Sequence, residues 1–210
     1  VRIVIPGGSG QVGHVLARAF VADGHEVVVL SRGGRMPAPV RVVAWDGRTL
    51  GDWVHVLDGA DVVINLAGRS VNCRYTPANR EAILQSRVQS TQVLGTAMQQ
   101  LPQPPRVWLQ SSTATLYAHR YDAPNDEQTG VIEGDEPNAP DTWRFSITVA
   151  KAWEAAALAH PLLHTRVVLL RSAMVMSPDR DGVFDVLLGL VRRGLGGTCG
   201  NGRQYVSWIH

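Results

Sequence analysis

The sequence predicts an α/β fold, a doubly wound parallel sheet with helices on both faces, and three observations carry that expectation. First, the chain opens on an apolar strand, Val1-Arg2-Ile3-Val4-Ile5. The strand runs straight into a glycine-rich turn, Pro6-Gly7-Gly8-Ser9-Gly10-Gln11-Val12-Gly13, and then an amphipathic stretch with Val12, Leu16, Ala19 and Phe20 on one face. Second, strand and helix patterns alternate along the 210 residues, as right-handed crossovers between parallel strands require. Third, Val62-Val63-Ile64 lies in a near-continuous apolar run, the mark of a strand buried on both faces.

The elements follow in order. Asp23-Gly24 stops the first helix, and Glu26 to Leu30 is a second strand. Val40 to Ala44 is a third. A short helix around Leu50 to Leu57 precedes the fourth strand, Asp61 to Leu66. A long helix runs from about Pro77 to Gln100 and ends at the proline-rich linker Pro102 to Pro105. The fifth strand is Arg106 to Gln110, followed by the polar run Ser111-Ser112-Thr113. Residues 118–141 are rich in Asp, Asn, Pro, Gly and Glu and read as a long exposed loop. A helix from Thr142 to His160, a strand from Thr165 to Leu170 and a helix from Val183 to Arg193 complete the alternation, and Gly194 to Gly202 is a glycine-rich tail.

The first turn ties sequence to ligand. Gly7 suits a tight turn, Gly10 admits phosphate close to the backbone, and Gly13 lets the helix pack near the strand. Gln11 and Val12 open a helix whose free N–H groups and positive dipole end favour an anion. This is a dinucleotide-binding, Rossmann-type βα unit. An NAD site carries an acidic residue about 20 positions further on. Here the second strand ends in Ser31-Arg32, with Arg35 close behind. A hydroxyl and guanidinium forks suit a 2′-phosphate, so NADP is expected in preference to NAD. Trp45-Asp46 are candidates to flank the adenine. Leu66-Ala67-Gly68, after Asn65, are candidates to let the backbone pass close to the cofactor.

These residues together resemble the extended branch of the short-chain dehydrogenase/reductase superfamily. The turn Gly7 to Gly13, the small-residue end of the fourth strand and the segment Ser111-Ser112-Thr113-Ala114-Thr115-Leu116-Tyr117 carry the likeness. A narrower likeness is to NAD(P)-dependent epimerase/dehydratase-like oxidoreductases. It rests on Ser86-Arg87-Val88 with Thr91, Ala152-Trp153-Glu154-Ala155-Ala156, Leu169-Leu170-Arg171, and Gly200 to Gln204 with Ser207 to His210. The resemblance implies catalysis by a Ser or Thr hydroxyl with a tyrosine and lysine spaced YxxxK, the lysine holding the nicotinamide ribose. Thr113 takes the hydroxyl's place, and Lys151 stands on the helix after the long loop. One of the 20 Lys and Arg residues is lysine, Lys151, which gives its placement weight. Four residues earlier stands Ile147, which cannot move a proton; Ser146 is adjacent but turned by about 100°. Tyr117 belongs to the substrate side of the site, by packing or by contact. Arg203 is placed by the resemblance near an anionic substrate.

The resemblance divides the chain into an NAD(P)-binding domain, 1–178, and the start of a substrate-binding region, 179–210, which stops at His210 in the middle of a motif. It also implies a homodimer joined through the two long helices.

A net charge of +2 with scattered arginines argues against a nucleic-acid partner. No apolar run approaches the ~20 residues that span a membrane, and the N-terminus reads as a strand rather than a leader. Cys73 and Cys199 read as reduced thiols of a cytoplasmic protein. Asp179-Arg180-Asp181-Gly182 lacks the closing glutamate of a calcium loop, since Leu188 stands at that place. The histidines form no metal motif. Two functions stay open. One is an NADP-dependent oxidoreductase or epimerase-like enzyme acting on a small carbonyl, alcohol or sugar-type substrate. The other is a dinucleotide-binding sensor or regulatory protein without turnover, which Ile147 favours.

Overall fold

A computed structural model describes residues 1–132, 139–179 and 182–210. Residues 133–138 of the expected long loop, and Arg180-Asp181, lie outside the described residues. The strands are β1 (Arg2–Pro6), β2 (Glu26–Ser31), β3 (Arg41–Ala44), β4 (Val62–Asn65), β5 (Val107–Thr113) and β6 (Arg166–Ser172). They form one parallel sheet in the order β3-β2-β1-β4-β5-β6. The order reverses between β1 and β4, which fixes the crevice in which a doubly wound sheet binds ligands.

Alternation along each strand sends side chains to two cores. Ile3, Ile5, Val27, Val29 and Ile64 pack with Ala17 of helix α1 (Gln11–Ala22) on one face. Val4, Val28, Leu30, Val63 and Trp108 pack on the other, against Val93, Leu94, Ala97 and Met98 of α2 (Pro77–Gln99) and Ala157 of α3 (Asp141–Leu158). Burial on both faces is why these strands read as apolar runs. Each buried Val, Leu or Ile is worth roughly 1.5–3 kcal/mol over its exposed state. Thr76 caps α2 by accepting a hydrogen bond from the Asn79 N–H at 3.3 Å, and Pro77 takes the first helical position.

Three differences from the sequence reading have physical causes. The fifth strand continues through Ser111-Ser112-Thr113, pairing with β6 as far as Thr113 with Ser172. Its inward positions include Gln110 and Ser112, buried polar groups with side-chain partners, so hydrophobic periodicity does not see them. The expected helix near residue 50 is a short 3₁₀ turn, Asp52–Val56. Past the expected tail, β8 (Trp208–Ile209) pairs in parallel with β7 (Met174–Val175), which precedes helix α4 (Val183–Arg192). Two-residue strands carry too little pattern to be read from sequence. No helix among the described residues is long and apolar enough to cross a membrane.

Candidate functional site

The glycine turn lies at the reversal point, after β1. Gly7 has φ +74°, and a Cβ there would stand 2.6 Å from the Ala67 Cα, so only glycine lets the turn meet the backbone leaving β4. A Cβ on Gly13 would stand 2.1 Å from the Gly8 carbonyl oxygen, which seats α1 directly on the turn. Gly10 is different: a Cβ there would meet nothing nearer than the Gly7 oxygen at 3.9 Å. It faces open space ahead of α1. That helix has no side-chain cap and no acidic residue in its first turn. The N–H groups at Gln11, Val12 and Gly13 are thus left for an anion, and the residues present fit a diphosphate. The Gln11 side chain turns aside and donates to the Asp179 carbonyl oxygen at 3.2 Å. Arg18 fixes Asp179 by a two-pronged bond of 3.0 and 3.2 Å.

Ser31, at the end of β2, is buried. Its Oγ lies 2.8 Å from the Ser9 Oγ and accepts the Gly34 N–H at 2.9 Å. The hydroxyl therefore ties the glycine turn to the loop that carries Arg32 and Arg35. Both arginines are exposed and form no hydrogen bond or ion pair with described residues, so their forks are open to a phosphate. Asp46 is engaged otherwise: its carboxylate accepts from the Arg48 and Thr49 N–H groups and from the Thr49 hydroxyl at 2.8, 3.0 and 2.6 Å. The Thr49 bonds, with that from Arg48, hold the carboxyl below its ordinary pKa. Trp45 is buried against Trp53.

The exit from β4 is held from below. The Leu66 N–H donates to the Pro6 carbonyl at 2.8 Å, and the Ala67 N–H donates to Asn65 Oδ1 at 3.0 Å. Asn65 Nδ2 donates to Gln110 Oε1 at 2.9 Å and to Thr91 Oγ1 at 3.2 Å. The Trp153 indole N–H donates to the same Thr91 oxygen at 3.0 Å. All four side chains are buried, so the bonds are protected from water. Gly68, next in the chain, lies under the Arg87 guanidinium.

Beyond β5 a cleft of about 1320 Å³ is lined by Thr113, Tyr117, His119, Arg171 and Tyr205 among others. Thr113 Oγ1 donates to Thr115 Oγ1 at 2.9 Å. The Arg171 guanidinium donates to the Tyr117 phenol at 3.1 Å and grips Glu154 with two bonds of 2.9 Å. Ser112 Oγ donates to the same carboxylate at 2.5 Å. Burial pushes the Glu154 carboxyl up, but the bonds from Arg171 and Ser112 and the guanidinium charge outweigh it and hold it below its ordinary value. The sequence reading missed this cluster as a unit, although its motif segments contained Glu154 and Arg171. The signal was an acid and a base each set in an apolar run. Arg203 does not line the cleft, whereas its neighbours Gln204 to Ser207 do.

Ile147 is buried against Leu116 and Ala150. Lys151 is exposed, with no partner among the described residues. It lies about 160° around the helix from Trp153, whose indole faces α2 and the end of β4. The structure thus brings Gly7, Gly10, Gly13, Ser31, Ala67 and Gly68 together, and Lys151 stands exposed on α3. Around α3, Thr142 and Ser146 lie about 20° from Trp153, Val149 and Ala157 about 40°, and Ala150 and Ala156 about 60°. Ser146 borders a smaller pocket with Cys73, Tyr75, Thr142 and Trp143. Among the described residues no group of His, Cys, Asp and Glu is arranged to hold a metal ion.

Comparison with known proteins gives a consistent result. The model of the NAD dependent epimerase/dehydratase family matches residues 3–210. The bovine epimerase family protein SDR39U1 is 35% identical over 212 residues, covering 100% of the chain. An epimerase family protein of Staphylococcus saprophyticus is 31% identical over 99% of the chain. The chain spans 66% of the length of each of these relatives. Human SDR39U1, solved with NADPH, superposes with a TM-score of 0.81 at 32% identity, over 100% of this chain and 66% of that one. A nucleoside-diphosphate sugar epimerase from Corynebacterium glutamicum gives 0.72 at 29% identity, over 100% of this chain and 41% of that one.

Proposed function

The chain belongs to the NAD dependent epimerase/dehydratase family, and from that premise we propose that it is an NADP(H)-binding oxidoreductase or epimerase-like protein. The substrate is a small carbonyl, alcohol or sugar-type molecule. The observation that carries the reading is the turn itself: Gly7 against Ala67, Gly13 against Gly8, and an uncapped α1 behind Gly10. The preference for NADP rests on the open forks of Arg32 and Arg35 beside Ser31. The NADPH in the human relative's structure supports it. The setting is the cytoplasm, a reading that the free thiols Cys73 and Cys199 support.

When bound, NADP(H) supplies or accepts a hydride. The chain's own part is to hold and to polarise. Thr113 ends β5 at the mouth of the cleft, where its hydroxyl can orient a substrate oxygen. The Tyr117 phenol accepts a hydrogen bond from the Arg171 guanidinium, which fixes it at the wall of the cleft. A second reading, a dinucleotide-binding sensor without turnover, is favoured by Ile147: a buried aliphatic side chain stands where the resemblance implies a phenol.

Titration of nicotinamide fluorescence with NADPH and NADH tests the reading. We expect the protein to bind NADPH more tightly. The double change Arg32→Ala with Arg35→Ala should weaken NADPH by roughly tenfold or more and leave NADH nearly unaffected, since the lost bonds are to a charged group. Tighter binding of NADH by the parent protein would overturn the NADP assignment. A parent that binds NADPH yet consumes none with a broad carbonyl panel would favour the sensor.

A further inference from the structure

Arg87 is a cation without a counter-ion among the described residues, at the edge of the nucleotide site. It rises from α2, is partly buried, and lies with its guanidinium 5.1 Å from the Trp153 ring centroid. One of its nitrogens, Nη1, donates to the carbonyl oxygens of Arg69 and Ile83, both at 3.1 Å. A Cβ on Gly68 would stand 3.1 Å from its Cζ and 3.3 Å from Nη2. No carboxylate among the described residues pairs with it. Burial lowers its pKa below the usual arginine value, the mark of a charge removed from water and not repaid by an acid. Buried charges are normally paired, so an unpaired one beside a ligand crevice marks where an anionic or polar ligand completes the site.

Its position identifies the ligand. Gly68 follows Ala67, and Ala67 abuts Gly7 of the diphosphate turn. Arg87 therefore sits on the β4 side of the turn, whereas Ser31, Arg32 and Arg35 sit on the β2 side. The 2′-phosphate loop takes the adenosine end, and the opposite side of the turn takes the other. On α3 the residues within about 60° of Trp153 carry no charge, and Lys151 lies about 160° round from it.

We propose that Arg87, reaching from α2 across Trp153 to Gly68, is the cation that holds the nicotinamide half of the bound dinucleotide, the role that the resemblance gives to a lysine on α3. The inference rests on the NADP(H) reading above. Arg87 binds through Nη2 and its charge while Nη1 stays anchored to two carbonyls, so the fork is already oriented before the ligand arrives.

Calorimetric titration with NADPH and with adenosine 2′,5′-bisphosphate, which lacks the nicotinamide half, tests it. Arg87→Gln should weaken NADPH by roughly tenfold or more and leave the bisphosphate unchanged. Arg87→Lys, which keeps the charge, should recover most of the NADPH affinity. Full NADPH affinity in Arg87→Gln overturns the assignment, and so does equal weakening of both ligands, which would mark a structural role for the bonds to Arg69 and Ile83. Weakening of NADPH by Lys151→Ala in place of Arg87→Gln returns the role to the lysine. A parent protein that binds neither ligand refutes the NADP(H) reading itself, a different result from any of these.

Discussion

Gly13→Ala abolishes measurable NADPH binding and lowers the melting temperature by several degrees. The added Cβ would stand 2.1 Å from the Gly8 carbonyl oxygen and 2.4 Å from its Cα, both backbone atoms that cannot rotate away. Relief requires α1 to lift from the turn. Overpacking of this kind costs about 1–3 kcal/mol. In a chain of this size that is roughly 2–4 °C per kcal/mol. Binding suffers more, because lifting the helix moves the N–H groups at Gln11, Val12 and Gly13 away from the diphosphate. Gly10→Ala is the internal control: its Cβ enters open space, so the fold is unharmed while the close approach of phosphate is blocked. Thermal melts paired with NADPH titrations distinguish the two. An alanine at 13 that melts and binds like the parent would show that the turn is not assembled as described.

Glu154→Gln carries the largest expected cost to stability. It removes the acid from a cluster in which Arg171 makes two 2.9 Å bonds and Ser112 one of 2.5 Å. The guanidinium would remain, largely enclosed and unpaired. Removing one partner of a buried pair costs on the order of 3 kcal/mol. The pH dependence has a definite sign. The folded Glu154 carboxyl titrates below the unfolded one, whose value is about 4.3. Its contribution is therefore complete above that unfolded value and is lost as pH falls through the folded value. Melts from pH 7 down to 3 should show parent and variant far apart at neutrality and converging at the acid end. A gap that stays constant, or widens on acidification, contradicts the pairing. Release of Arg171 should also free the Tyr117 phenol, so any reductase activity should fall further than stability alone explains.

Most of the fold was legible because its determinants are local. β1, the glycine turn and α1 each show their pattern within a few residues, and the doubly buried β2 and β4 show theirs as apolar runs. β5 was read three residues short because its inward side chains at 110 and 112 are polar. Their partners, Asn65 and Glu154, are distant in sequence, and no local pattern signals a satisfied buried amide. The cofactor side of the site followed the same division. Gly7, Gly13 and Ser31 were readable, whereas the engagement of Asp46 by Thr49 was not. The cation proposed above, Arg87, was not legible for a geometric reason. Composition singles out Lys151, but a helix turns about 100° per residue, and only the contact of Trp153 with Thr91 shows which side faces the site. Arg87 stood in a motif without a role, since its want of a counter-ion is visible only in three dimensions.

The 2.8 Å contact between Ser9 and Ser31 joins the two loops to which the proposed NADP(H) reading gives the diphosphate and the 2′-phosphate. Closure of either loop then lowers the entropy that the other must surrender. On that reading the adenosine 2′-phosphate and the diphosphate would not bind as independent fragments, and their free energies would be linked. By reciprocity, a ligand lacking the 2′-phosphate is penalised twice: once for the missing contact, and again for meeting a diphosphate turn that has not been stilled. Discrimination between the two nicotinamide dinucleotides would then exceed what the proposed arginine contacts deliver alone. Ser31→Ala, which touches neither charge, should erode it.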